Sequence, residues 1–255
     1  MNITWNADKY TKDFSFVHQY GNDVAQLLNC APGSDVLDLG CGNGALTNRL
    51  RERGFHVIGL DASSELLDTA RSAYPEIAFI QADATSFSLS EPVDAVFSNA
   101  VFHWIDQEKQ PLMLSCVSRA LRENGQFVFE FGGKGNNALI HEALEKAFQH
   151  YGFSYKMPFY FPSIGDYAPM VEQAGFQVQY AVLFDRPTEL KGAAGLEDWI
   201  RMFVKTPFAV VGDTQIQDEI IRIAVRDLKP VLYKEGTWYA DYVRIRMKAY
   251  KPTSI

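Results

Sequence analysis

Short apolar runs separated by amphipathic stretches make up most of the first 185 residues. Val36, Leu37 and Leu39 form a run of the kind found in strands covered on both faces of a parallel sheet. HVIGL at 56–60, IAFIQ at 77–81, VDAVFS at 93–98 and QFVFEF at 126–131 repeat the pattern. Between them, residues 14–28, 45–53, 66–73 and 111–121 carry apolar positions at helical spacing. Further helices are predicted at 137–151 and 164–174, followed by a sixth strand from Phe176 to Phe184. Strands alternating with helices predict an α/β fold: a doubly wound, mostly parallel, Rossmann-like sheet of seven strands.

The last seventy residues break that rhythm. About fifty residues separate Phe184 from the final run, TWYADYVRIRMKAYK at 237–251, where two adjacent strands would need only a hairpin. Residues 196–204 and 215–233 in this interval are helical in period. The interval, about 187–236, reads as a helical cap, together with the aromatic and proline-rich stretch YKMPFYFP at 155–162. From Tyr242 onward the final run alternates apolar and polar, as an antiparallel last strand would. The expected organisation is one domain over 1–255, with an arm and helix at 1–29 and a core at about 30–150, 164–186 and 237–251.

Candidate chemistry gathers where the strands end. Gly40, Gly42 and Gly44 follow the first strand, with Asp38 two residues before and Cys41 inside the turn. A glycine turn opening a helix lets backbone approach a ligand and points unpaired N–H groups at it. The glycines alternate as G-x-G-x-G, unlike the dinucleotide fingerprint G-x-G-x-x-G, and the nearby carboxylate suits a ligand with a cationic end. Asp61, followed by Ala62, ends the second strand and is placed to accept from ribose hydroxyls. Asp83, followed by Ala84, comes just after the third strand and could accept from an adenine amino group. Asn99, Ala100, His103 and Trp104 follow the fourth. Ligands of doubly wound sheets collect at this edge.

VLDLGCGNG, GLDAS, QADA and FSNAVFHW together resemble the class I S-adenosylmethionine-dependent methyltransferases. Within them the likeness is greatest to the trans-aconitate methyltransferase group, and it extends to WNADKY at the start and DYVRIRMKAYKP at the end. The resemblance implies S-adenosyl-L-methionine as cofactor, bound by Tyr10, Asp38, Gly40, Cys41, Gly42, Asp61, Ala62, Asp83, Ala84 and Asn99. It also implies a leading segment that folds over the cofactor and an acceptor side near Trp104, while His103 is a candidate to touch the acceptor by its strand-end position alone. His103 stands where relatives often carry glutamine, so a proton-transfer role does not carry over. The expected reaction is O-methylation of a carboxylate on a small acidic metabolite, or methylation of another small-molecule or acyl-carrier-linked acceptor. An acidic acceptor needs cations, for which Arg186, Lys191, Arg201, Lys205, Arg244 and Arg246 are candidates. Arg201 is the foremost, flanked by Trp199 and Phe203. An NAD-dependent oxidoreductase and a non-catalytic S-adenosylmethionine-binding module are the rival readings.

Composition narrows the partners. A net charge of -7 leaves no Lys/Arg surplus to neutralise a nucleic-acid backbone. No apolar run reaches the 18 residues of a membrane helix. Three cysteines without a C-x-x-C pair offer neither a disulfide framework nor a zinc site, so no metal is expected. With no signal-like leader in MNITWNADKY, a cytoplasmic location is expected.

Overall fold

The computed structural model describes residues 16–253, with side chains from residue 21 onward. The expected arm, with Trp5 and Tyr10, lies outside the described residues. Helix α1 (Phe16–Ala25) leads to β1 (Asp35–Leu39), α2 (Ala45–Glu52), β2 (His56–Asp61), α3 (Ser64–Ala73), β3 (Ala78–Gln81) and β4 (Val93–Asn99). Ser63 caps α3 by accepting from the Leu66 N–H. Then come α4 (Gln110–Ala120), β5 (Leu121–Gly132), α5 (Ala138–His150), α6 (Ile164–Gln173) and β6 (Gln177–Leu190). The remainder is α7 (Gly195–Phe203), α8 (Lys205–Phe208), α9 (Thr214–Leu232), the two-residue β7 (Tyr233–Lys234) and β8 (Thr237–Tyr250). Among the described residues no helix is long and apolar enough to cross a membrane.

The sheet order is β3-β2-β1-β4-β5-β8-β6. Strands β1 to β5 pair in parallel, and β8 runs antiparallel to both of its neighbours. The path has the seven strands expected, and β7 adds a short eighth against β8. Strand β6 runs on to Leu190, past the Phe184 end expected for it and through Pro187. It is the outermost strand, where a residue without an N–H can sit without breaking a ladder.

Three apolar cores result. Phe127, Phe129 and Phe131 of β5 pack with Phe102, Tyr167 and Val171 on one sheet face. On the opposite face Val36, Phe97 and Val128 meet Val24, Leu46 and Leu50. The third core joins the cap to the body: Leu196, Trp199, Ile200 and Phe203 of α7 pack with Ile220, Ala224 and Leu228 of α9. They also meet Ile140, Leu144 and Phe148 of α5 and Trp238, Ala240 and Tyr242 of β8. The cap therefore shares its core with the end of the strand pair that carries it.

Glu130, 2% exposed, receives two of the candidate cations. Arg186 pairs with its Oε1, and Arg246 Nε donates to its Oε2 at 2.7 Å. Both guanidinium groups lie over the Phe184 ring, at 5.0 and 5.3 Å from its centroid. A carboxylate held this way consumes both charges in the body of the sheet.

Candidate functional site

The glycine turn after β1 is tied down before it meets any ligand. Gly40 and Cys41 both donate their N–H to the Leu60 carbonyl, at 2.7 and 3.0 Å. Gly40 has φ +78° and Gly42 φ +55°, conformations that favour glycine. The two glycines serve different ends. A Cβ on Gly40 would sit 2.2 Å from Val101 Cγ2, while one on Gly42 would meet nothing closer than Leu66 Cδ1 at 4.0 Å. Gly40 lets β4 close in, and Gly42 leaves the cleft open. Gly40→Ala is therefore expected to destabilise the fold by about 1–3 kcal/mol, because β-branched Val101 can yield little room. Gly42→Ala should cost less stability, and urea denaturation of the two variants side by side reads the difference.

Two residues expected at the cofactor lie beneath the turn instead, and neither lines the cleft. Asp38 is 2% exposed and its Oδ2 accepts from Thr47 Oγ1 at 2.7 Å, so it braces α2 against β1. It belongs to a strand interior, which turns it away from the sheet edge. Cys41 is buried toward β2, where its Sγ would lie 2.9 Å from a Cβ on Gly59. It fills space. Burial pushes the Asp38 carboxyl up to about 7 from 3.8, with the Thr47 bond opposing this and the charge of Asp61 adding to it. A raised acid contributes stability that is fully present below its unfolded pKa and lost as pH rises through the folded one. Stability should thus fall between about pH 4 and 7 on this account, by on the order of 1.4 kcal/mol for each pH step of one crossed. Asp38→Asn keeps the shape, and thermal melts at both ends of that range should show a flatter dependence.

The other cofactor candidates do line the cleft: Gly40, Gly42, Asp61, Ala62, Asp83, Ala84 and Asn99. Asp61 Oδ2 accepts from the Gly42 N–H at 2.9 Å and Oδ1 from the Ser63 N–H at 2.8 Å. Burial nonetheless raises its pKa. One lone pair on each oxygen is left for a ligand. Asp83 Oδ1 accepts from both the hydroxyl and the N–H of Thr85, at 2.6 and 2.8 Å, and the hydroxyl bond leads in holding its carboxyl below the usual range. Ala100 follows with φ +62°, its N–H donating to the Glu130 carbonyl at 2.7 Å.

Beyond Ala100 the cleft opens into an aromatic chamber. His103 and Trp104 belong to a short 3-10 helix, Phe102–Trp104, and both line it. His103 Nδ1 accepts from the Gly132 N–H at 3.3 Å, which places the ring proton on Nε2. Burial, reinforced by the charge of Arg244, holds this imidazole neutral, well below its ordinary pKa. His103 therefore offers the chamber an N–H and no free base. Phe159 meets Trp104 edge-on with centroids 4.8 Å apart, and Phe161 stacks beside Phe159 at 5.4 Å. Trp199 donates its indole N–H to Tyr242 Oη at 2.7 Å, and Phe203 closes the wall. The cleft encloses about 1390 Å³ of space, part of it the open mouth.

Arg201 does not reach this chamber. It lies on the outer face of α7, its Nη2 bonded to Glu197 Oε1 and Asp218 Oδ1, both at 2.8 Å, with 40% of the side chain exposed. At 100° per residue it stands roughly 200° from both Trp199 and Phe203, so their burial turns it to solvent. Of the candidate cations, Arg244 is the one on the cleft. It is 6% exposed, with its guanidinium 4.5 Å from the Tyr242 ring centroid. Asn136, Asn137 and Tyr242 also line the cleft and were not expected there. The loop leading to the two asparagines is pinned: Gly133 and Lys134 donate to the Val243 and Pro162 carbonyls, and Asn136 Oδ1 accepts from the Val243 N–H.

Comparison with known proteins places this geometry. Residues 36–125 match the family profile of a methyltransferase domain. An uncharacterized methyltransferase of Schizosaccharomyces pombe is 33% identical over 97% of this chain and 98% of its own length. A trans-aconitate 2-methyltransferase of Azoarcus sp. is 36% identical over 48% of each chain, so this chain spans about half the length of that relative. A TehB-like SAM-dependent methyltransferase structure from Corynebacterium glutamicum aligns with a TM-score of 0.56 at 18% identity, over 97% of this chain and 98% of its own, a likeness of fold.

Proposed function

The chain belongs to the class I S-adenosylmethionine-dependent methyltransferases, and from that premise we propose that it methylates a carboxylate of a small acidic molecule bound at Arg244. The observation that carries this reading is a buried guanidinium on the wall of the same cleft that the candidate cofactor residues line. The acid in the name of the half-matching trans-aconitate relatives supports it.

The residues present fit the cofactor. Gly42 leaves its side of the cleft open, and Asp61 keeps a lone pair on each oxygen for ribose hydroxyls. Asp83 would accept from the adenine amino group, while Gly40, Gly42 and Asn99 would border the amino-acid end. S-adenosylmethionine supplies an electrophilic methyl group on its sulfonium.

The chain's own part is to bind, orient and dry the nucleophile. Arg244 can grip a carboxylate bidentately, and the Nε2–H of His103 offers a further donor. Three donors leave lone pairs on the carboxylate, which has about four acceptor sites, so the acceptor keeps a nucleophilic face. A carboxylic acid is already ionised at pH 7 and needs no base, which suits a histidine that presents its proton. Positioning alone can supply roughly 7–11 kcal/mol of the barrier, and the aromatic walls keep water off the nucleophile.

The test is release of S-adenosylhomocysteine across a panel of carboxylic acids, phenols and amines. Acids should turn over with a rate independent of pH between about 6 and about 9, since neither acceptor nor His103 titrates there. Turnover confined to amines, rising with pH, would exclude a carboxylate acceptor and leave the enzyme class untouched.

A further inference from the structure

The chamber has a second polar end, and it is not built for another acid. Asn137 lines the cleft at 2% exposure, with its backbone fixed at φ +54°. Its N–H donates to the Asp241 carbonyl at 2.8 Å and its carbonyl accepts from the His141 N–H at 2.9 Å. The carboxamide itself makes no hydrogen bond among the described residues, and its Oδ1 is fully buried. Buried polar groups are ordinarily paired, so a side chain left this way on a cleft wall points to a ligand.

The surroundings select that ligand's chemistry. Asp241 lies next to Asn137, its Oδ2 accepting from the Leu139 N–H and its Oδ1 buried without a hydrogen-bond partner. His141, one helical turn on, is held neutral by burial, its Nδ1 sharing a hydrogen bond with Tyr155 Oη at 2.6 Å. Among the described residues two cations line the cleft, Arg244 and Lys109, and Lys109 is paired with Asp106 at 3.2 Å. Arg186 and Arg246 are taken by Glu130, and Arg201 by the cap's own acids. A second carboxylate beside Asn137 would face Asp241 with no further cation among the described residues to balance it. A hydroxyl or amide, which both donates and accepts, matches a carboxamide in either orientation. Asn137 is bonded to residue 241, three positions along β8 from Arg244, which sets the two ends roughly 10 Å apart. Aromatic rings wall the space between them.

We propose that the acceptor is a monocarboxylate with a flat or apolar body and a neutral hydroxyl or amide at its far end, read by Asn137. This rests on the carboxylate reading above and narrows it away from polycarboxylates. Asn137 is a specificity-determining residue and takes no part in the methyl transfer itself.

Three probes of one length test it: 3-(4-hydroxyphenyl)propanoate, 3-phenylpropanoate and 3-(4-carboxyphenyl)propanoate. The expected order of kcat/KM is hydroxy, then phenyl, then carboxy, with the first at least about tenfold above the second, because a site that bonds a hydroxyl discriminates against its absence. Asn137→Gly tolerates the left-handed backbone. It should erase the hydroxyl preference, bringing the hydroxy-to-phenyl ratio of kcat/KM close to one, chiefly through a higher KM for the hydroxy probe. The wild-type ratios read the proposal even if the variant folds poorly. Equal rates for hydroxy and phenyl probes, preference for the dicarboxylate, or a ratio that survives in Asn137→Gly would each overturn it. Turnover of trans-aconitate but none of the three probes would overturn it too, leaving the carboxylate reading standing. Turnover of no acid at all would overturn both.

Discussion

Arg244→Met should reduce kcat/KM for an acidic acceptor by roughly 30-fold to several thousand-fold, because removing one member of the proposed buried charge pair costs about 2–5 kcal/mol, much of it from leaving the other charge unpaired. Methionine keeps an unbranched stem against Tyr242 while deleting the charge. Arg244→Lys restores charge without the planar fork, so its activity should fall between the two. Cofactor affinity is the internal control, because Arg244 lies on the chamber side of the cleft and should leave it unchanged. A methionine variant with full kcat/KM on an acid would show that the carboxylate is held elsewhere. The measurement is initial-rate kinetics at saturating S-adenosylmethionine, paired with titration calorimetry of the cofactor alone.

Asp61→Ala should weaken S-adenosylmethionine binding by about 1.5–3 kcal/mol, roughly ten- to 150-fold in Kd. Two effects add here. The carboxylate is the proposed acceptor for the ribose, and it also fixes the Gly42 and Ser63 N–H groups that shape the turn. Asp61→Asn separates them, since the amide oxygen can keep one of those two bonds while the charge is lost. The asparagine variant should bind more tightly than the alanine one and less tightly than the wild type. Unchanged affinity in Asp61→Ala would remove the ribose assignment.

That the candidate cofactor residues would gather at one cleft was legible because the signal is local. Each strand of a doubly wound sheet delivers its last residues to one edge, so Gly42, Asp61, Asp83 and Asn99 meet although their strands are separated by helices. The failures on that side, Asp38 and Cys41, come from residues within the motif whose side chains face inward. A motif names a turn and does not say which of its side chains the ligand sees. The acceptor half depends on pairings between distant segments, and there sequence reasoning went astray at Arg201. The correcting signal was present: residues two apart share a face on a strand and oppose each other on a helix. Tyr242 and Arg244 on β8 therefore point together, whereas Trp199 and Arg201 on α7 point apart. What no periodicity could reveal is that Asn136 and Asn137 would be drawn onto β8 by the carbonyls and N–H groups of residues 241 and 243.

The place of β8 has a consequence for how the protein comes into being. The strand enters between β5 and β6, yet it is the last described element to leave the ribosome. Until it arrives, β5 and β6 have no common neighbour, the cap lacks Trp238, Ala240 and Tyr242, and Glu130 lacks Arg246. The ends of β1 to β4 that border the cleft can thus come together early, while Arg244 reaches its wall last. Closure of so long a sequence separation is a slow kind of step. During synthesis the order of events would give a cleft edged by its strand ends before it is walled by Arg244.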